Sequence, residues 1–268
     1  MTSTSISIAA ETRGAALRGS TRATVHYAAH TVRLTVKNWP YLVFTLAMPT
    51  IMYLVFNGLW GSTPVVPGVS YSTLIMVQMA GYGALGAAMS GGAVIALERR
   101  SGWFRQLMIT SLPARSFLVA RTATVLALVL PALVLVFGFG FAVGGVRAPL
   151  HEWVLSMLLM WVALVPLGAL GLVIGVWVRG EAVQGLNTLV MLVLSMAGGL
   201  LFPIEMMPSG VQPLARLLPS YWIAELGRWP FLHGLFPAVG LLVLAGWTAA
   251  LTVFGALGYR RAAATSKR

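Results

Sequence analysis

Residues able to do covalent or metal chemistry are few in this sequence, and they are scattered. The six carboxylates are spread along the chain, mostly in loops, and form no acid–base pair or metal-ligand cluster. Cysteine is absent, which removes disulfides, thiol catalysis and cysteine-ligated metals. His26 and His30 stand four apart, the spacing that puts two imidazoles on one helix face and that a zinc site can use. No third ligand accompanies them, so they read as part of a basic, lipid-facing stripe. There is no Gly-x-x-x-x-Gly-Lys-Ser/Thr loop to cradle a nucleotide and no Gly-x-Ser-x-Gly elbow. The most specific run is Glu98-Arg99-Arg100-Ser101-Gly102-Trp103-Phe104-Arg105, continuing through Leu107 and Met108 to Leu112-Pro113. Ser101 can cap a short helix that Pro113 stops. Trp103, Phe104, Leu107 and Met108 then share one apolar face beside arginines, a composition that binding hot spots use. The chemistry on offer is docking of a partner, not catalysis. The plainer alternative is an amphipathic turn resting on lipid headgroups.

Composition explains why so little is available. Charged residues make up 9% of the 268 and hydrophobic residues 58%. A soluble domain carries roughly 25% charged residues. A free soluble globule is therefore excluded, because the chain cannot clothe itself in polar surface. Charge-free stretches mark six membrane spans, each near the roughly 20 residues a bilayer core requires. They run from about Tyr41 to Trp60, Ser70 to Leu97, Thr122 to Val146, Trp153 to Val178, Ala182 to Phe202 and Phe236 to Tyr259. Gly61, Ser62, Thr63, Pro64, Pro67 and Gly68 break the first long interval into a hairpin of spans. The expected fold class is all-α: one polytopic six-span membrane domain over residues 21–259, a disordered leader over 1–20 and a basic tail over 260–268.

The net charge of +12 is rationed to short segments, which is a membrane pattern and gives no reason to expect nucleic acid. Fifteen of the eighteen basic residues fall on one side of the six spans, so both termini are expected in the cytoplasm. Between Ser20 and Trp39, residues Arg22, His26, His30, Arg33 and Lys37 fall within about 80° of helical arc. That predicts an interfacial helix drawn to anionic membrane lipids.

Polar residues inside the spans include Tyr53, Asn57, Gln78, Tyr82 and Asn187. By default these bond helix to helix; the functional alternative is that they line a path, with Met196 among its adaptable apolar walls. Small residues recur at packing intervals: Gly83, Ala87 and Gly91, then Gly140 and Gly144, then Gly171 and Gly175. No Asp, Glu, Lys or Arg lies within the six assigned spans. Ion-coupled transporters normally bury such groups, so a power source elsewhere is favoured.

The run Glu98-Arg99-Arg100-Ser101-Gly102, followed by Leu107 and Leu112-Pro113, resembles the cytoplasmic segment of type-2 ATP-binding-cassette (ABC) exporter permeases. A second resemblance is Gly198-Gly199-Leu200-Leu201-Phe202-Pro203-Ile204-Glu205-Met206-Met207-Pro208 with Leu218-Pro219-Ser220-Tyr221-Trp222. It covers about Thr21 to Tyr259, and the daunorubicin-resistance-like bacterial permeases are the nearest subgroup. What the resemblance implies is specific. Glu98, Arg99, Arg100, Gly102, Trp103, Phe104, Leu107 and Pro113 would form the coupling helix region that meets an ATPase subunit. ATP and Mg would be bound by that separate chain and no cofactor by this one. A second permease copy, identical or paralogous, would complete the path. The loop after span five would be extracellular and re-entrant, with Pro203, Glu205 and Pro208 at an outer gate. Trp222, Trp229, Tyr221 and Phe231 suit the membrane interface, and Glu205 and Glu225 read by default as wet surface carboxylates. The location would be a bacterial plasma (inner) membrane and the cargo a hydrophobic or amphipathic compound such as a drug, antibiotic or lipid-like molecule.

Rivals are a glycan or peptide permease and a non-transporting membrane scaffold or immunity protein, which would not need the docking segment. A lipid-modifying membrane enzyme would want clustered Asp, His or Glu, and none is seen.

Overall fold

The computed structural model describes the backbone of residues 39–100, 114–178 and 182–265, with side chains for 46–90, 124–178, 182–204 and 206–258. The interfacial helix expected over Ser20–Trp39 lies outside the described residues except for Trp39 itself, and the 1–20 leader lies wholly outside them. Helix α1 runs Trp39–Trp60. A two-stranded ribbon follows, β1 Pro64–Val66 and β2 Val69–Ser70, antiparallel with Val66 opposite Val69. It departs from a purely α expectation for a local reason. Pro67 and Gly68 supply the two central turn positions, and Gly68 takes φ +85°, which a side chain would resist. Helices α2 (Tyr71–Arg100), α3 (Ala114–Ala142), α4 (Leu150–Ala163) and α5 (Val165–Trp177) come next. Then come α6 (Ala182–Ala197), a 3-10 turn at Ile204–Met206, α7 (Gln212–Ala215), α8 (Pro219–Leu232) and α9 (Ala238–Thr265).

Among the described residues, four stretches are long and apolar enough to cross a membrane: Tyr71–Ser90, Thr124–Ala142, Leu150–Trp177 and Ala238–Gly258. These are spans two, three, four and six of the sequence reading. Spans one and five correspond to shorter apolar stretches, Leu46–Trp60 and Ala182–Ala197. Span four differs from its expectation in being two helices that meet at Leu164. Pro166 has no N–H to return to the preceding turn, which breaks the ladder there. Span five ends at Ala197, five residues before the expected Phe202. The cause is Gly199, which takes φ +77° while the Leu200 N–H reaches back to the Ser195 carbonyl at 2.9 Å. That is a Schellman stop, sealed by Leu200, which is fully buried. The tail boundary at residue 260 falls inside α9, which continues to Thr265.

Helix α2 is the axis of the bundle. It packs against α1, α3, α5, α6 and α8. Its Tyr71–Ser90 stretch is 83% buried, against 22% for Ala238–Gly258 on the rim. The residue types make this placement necessary. In lipid there is no hydrophobic gain from joining two apolar helices, so close packing and hydrogen bonds must hold them. A Cβ on Gly83 would stand 2.7 Å from the Pro49 ring of α1, and one on Gly171 would stand 2.7 Å from the Met89 carbonyl of α2. Gly140 faces Met76, and Gly144 faces Tyr53 and Ser72. The outside carries the large apolar side chains, among them Leu192, Val193 and Leu242. That is the reverse of a soluble surface.

The segment between α6 and α9 is broken as its prolines require, although Pro230 is accommodated near the end of α8. The aromatic residues expected at the membrane interface are largely elsewhere: Tyr221, Trp222 and Phe231 are buried. Helix α8 folds inward against α2, α4 and α9, so its rings become core. Trp153 and Phe231 meet edge to face at 6.0 Å, and the Ser156 hydroxyl donates to the Gly227 carbonyl at 2.6 Å.

Candidate translocation site

The run expected to meet an ATPase begins where α2 ends. Glu98, Arg99 and Arg100 occupy the last turn of that helix, although their side chains lie outside the described residues. Gly102, Trp103, Phe104, Leu107 and Pro113 lie wholly outside them. The chain re-enters the described structure at Ala114, the first residue of α3.

The polar residues read from the spans separate into two roles. Tyr82 and Asn187 come together. They share a cavity of about 450 Å³ between α1, α2 and α6. Gly83 and Gly86 open its α2 wall, and Met48, Met89 and Met191 supply flexible apolar surface. Gln184 and Thr188 add polar groups, and among the described residues no charged side chain lines it. Asn187 is buried; its amide donates to the Met89 carbonyl at 3.1 Å, while its Oδ1 has no hydrogen-bond partner. A buried acceptor left unpaired costs about 1–3 kcal/mol.

Tyr53 and Gln78 act between helices. The Tyr53 ring is buried and lines neither this cavity nor the second one. The Gln78 amide donates to the Gly199 carbonyl at 3.2 Å and so ties α2 to the stop after α6. Asn57 is half-buried, and its carbonyl accepts the Gly61 N–H at 2.8 Å where α1 turns into the hairpin. Met196 is exposed on the outside of α6.

A second cavity of about 230 Å³ sits near the hairpin end of α1 and α2. Gln78 and Pro203 are in its wall. Pro208 is exposed, and the Glu205 side chain lies outside the described residues. Glu225 is not a free surface carboxylate. It pairs with the Arg228 guanidinium at 3.0 Å and accepts the Tyr221 hydroxyl at 3.2 Å.

Sequence reading missed one contact altogether. Glu152 is buried at the first turn of α4, and its Oε1 stands 2.9 Å from His233 Nε2. His233 closes α8 in the left-handed conformation, φ 53°. The pair fastens the inter-span segment to α4 across 81 positions of sequence. Pro149 followed by an acidic residue in a first turn was the available signal for a helix starting at Leu150. Read that way, Glu152 enters the helix instead of the loop. Among the described residues no group of three or more His, Cys, Asp or Glu is placed to hold a metal.

A multi-pass helical membrane protein, glycine-packed around α2 and with a mostly apolar cavity beside it, is the class these features define. Within that class the chain belongs to the ABC-2 type transporter family, whose domain matches residues 25–232. It is a transmembrane ABC transport subunit. It is also similar to a protein of Bacillus subtilis (strain 168) named "Putative transport permease YvfS". The two are 25% identical over 207 residues, which cover 77% of this chain and 84% of that one.

Proposed function

We propose that this chain is the permease subunit of an ABC exporter in a bacterial plasma membrane, with six spans and both termini in the cytoplasm. The observation that carries the reading is the cavity between α1, α2 and α6 within a member of a permease family. It is roomy and mostly apolar, and among the described residues no charged side chain lines it. A hydrophobic or amphipathic neutral molecule can exchange lipid for such a wall without losing hydration of an ion. Export direction follows from the resemblance of the coupling and post-span-five motifs to exporters.

Power comes from a separate ATPase chain that binds ATP and Mg. This chain has no nucleotide loop. Two permease copies face each other, identical or paralogous, and each docks one ATPase through the run from Glu98 to Pro113. Closure of the ATPases pushes that run, and the helices rock as near-rigid bodies between two arrangements. Pro203, Glu205 and Pro208 stand at the outer gate. A glycan or peptide is the rival cargo, favoured by the Gln184, Asn187 and Thr188 side chains at the cavity.

The test is affinity capture of the tagged full chain from its native membrane, with and without the 98–113 run replaced by a Gly/Ser sequence. Recovery of an ATPase chain with the intact protein and its loss with the replaced one is the expected result. No ATPase with either would refute the assignment.

A further inference from the structure

We propose that the cavity between α1, α2 and α6 selects amphiphiles that carry a hydroxyl or an amide N–H, with Asn187 Oδ1 as the acceptor that reads this donor. The proposal deepens the export reading and rests on that cavity being where cargo stands. Met48, Met89 and Met191 give the wall adaptable apolar surface for the body of such a molecule. The polar part of the wall, on α2 and α6, is unbalanced between donors and acceptors.

Asn187 is 4% exposed, and its Nδ2 faces the Met89 carbonyl at 3.1 Å. Only a donor can face a carbonyl, so this contact fixes which way the amide lies. Oδ1 is the end left over, and it has no hydrogen-bond partner. It is sealed inside the chain, so neither water nor a second copy meets it in this arrangement. Asn187 lies in the cavity wall, so a partner that completes it comes by way of the cavity. Met191 stands one turn further along α6 in the same wall, and an unbranched thioether swings aside at low cost. The Thr188 hydroxyl gives its proton to the Gln184 carbonyl at 2.9 Å, which leaves its oxygen as a second acceptor. Tyr82 and the Gln184 side chain can give or accept. The surplus is therefore of acceptors, and α6 carries it. A ligand that matches this wall brings the protons. A molecule of the same shape with its donor methylated leaves Oδ1 unpaired, and sites built to receive a donor reject such analogues strongly.

The experiment measures binding of matched probes to the full-length protein in phosphatidylcholine nanodiscs, by scintillation proximity with the signal of empty nanodiscs subtracted. The probes are tritiated 4-decylphenol with its methyl ether, and N-decylbenzamide with its N-methyl derivative. Each donor-bearing member is expected to bind at least about tenfold more tightly than its methylated partner. Asn187→Leu should bring that preference close to unity by weakening the donor member alone, whereas a purely structural role would weaken both members equally. Leucine also gives up the bond to Met89, so Thr188→Val, at an exposed position, is the second variant, and it should lower the preference with folding intact. Gln184→Trp, exposed in the cavity wall, should block all four probes. Equal binding within each pair overturns the proposal, as does a preference that survives in every folded variant at Asn187 and Thr188. Absence of binding by both donor members, or binding that Gln184→Trp leaves unchanged, overturns it too. If the intact protein still captures an ATPase, any of these failures removes the donor rule alone and leaves the export reading standing.

Discussion

The Tyr53 hydroxyl stands 2.9 Å from Ser72 Oγ, and Ser72 Oγ stands 2.9 Å from the Gly144 carbonyl oxygen. Serine has one proton to give, and the carbonyl can only accept it. Tyr53 is therefore the donor to Ser72, and a single relay joins α1, α2 and the turn after α3. Tyr53→Phe keeps the ring and removes the relay's first proton. Hydrogen bonds between membrane helices are worth about 1 kcal/mol. A loss of that order is expected in the unfolding free energy of the purified protein in detergent. An unchanged unfolding midpoint would show that Tyr53 contributes packing alone.

Close backbone approach makes a sharper prediction. A Cβ on Gly171 would meet the Met89 carbonyl at 2.7 Å and its Cα at 3.0 Å, and backbone cannot swing aside. Gly171→Leu should prise α5 from α2 and sharply reduce the yield of folded protein. Gly58→Ala is the control, since nothing lies within 4 Å of its added carbon. Monodisperse recovery from detergent reads both. Equal recovery would mean that α2 and α5 are not packed as described.

The orientation can be read directly, because the chain has no cysteine to confuse the result. Pro64→Cys and Gly210→Cys should react with a membrane-impermeant maleimide in intact cells, and Gln106→Cys should not. The opposite pattern would invert the topology and put the 98–113 run on the wrong side for an ATP-driven partner.

On the proposed docking role of that run, Trp103 and Phe104 are its two aromatic anchors. Truncating a well-buried aromatic anchor costs about 2 kcal/mol, roughly 30-fold in affinity. Trp103→Ala combined with Phe104→Ala should weaken association with the ATPase by at least that factor while leaving membrane insertion intact. Titration of the ATPase onto the permease in nanodiscs measures it, and unchanged affinity would reduce the segment to a turn resting on headgroups.

What the sequence made legible was set by how local the physics is. Charge-free runs found α2, α3, the α4–α5 pair and α9, because solvation of a single side chain decides membrane residence. Gly83, Gly140, Gly144 and Gly171 were recognisable as packing residues from their spacing alone. Their partners were not, since Pro49, Met76 and Met89 are chosen by the way helices lean on one another. The inward fold of α8 was also hidden. Its Tyr221, Trp222 and Phe231 suit a membrane interface and a protein core equally by composition, and only contact with α2, α4 and α9 decides between them. For the site, Tyr82 and Asn187 were picked out as intramembrane polar residues. That Tyr53 binds Ser72 instead of facing the cavity depends on a neighbour nineteen positions away. Glu152 and His233 were missed for the same reason, being 81 positions apart.

Central to the proposed function is a division of labour between a chain that forms the path and a chain that supplies the power. The direct measurement is ATP hydrolysis in proteoliposomes holding the permease alone, the ATPase alone, and both, each with and without a panel of amphipathic compounds. No hydrolysis by the permease alone, and hydrolysis by the pair that a transported compound stimulates, is the expected result. Hydrolysis by a contaminant-free permease, or a pair whose hydrolysis and compound movement are unlinked, would contradict it.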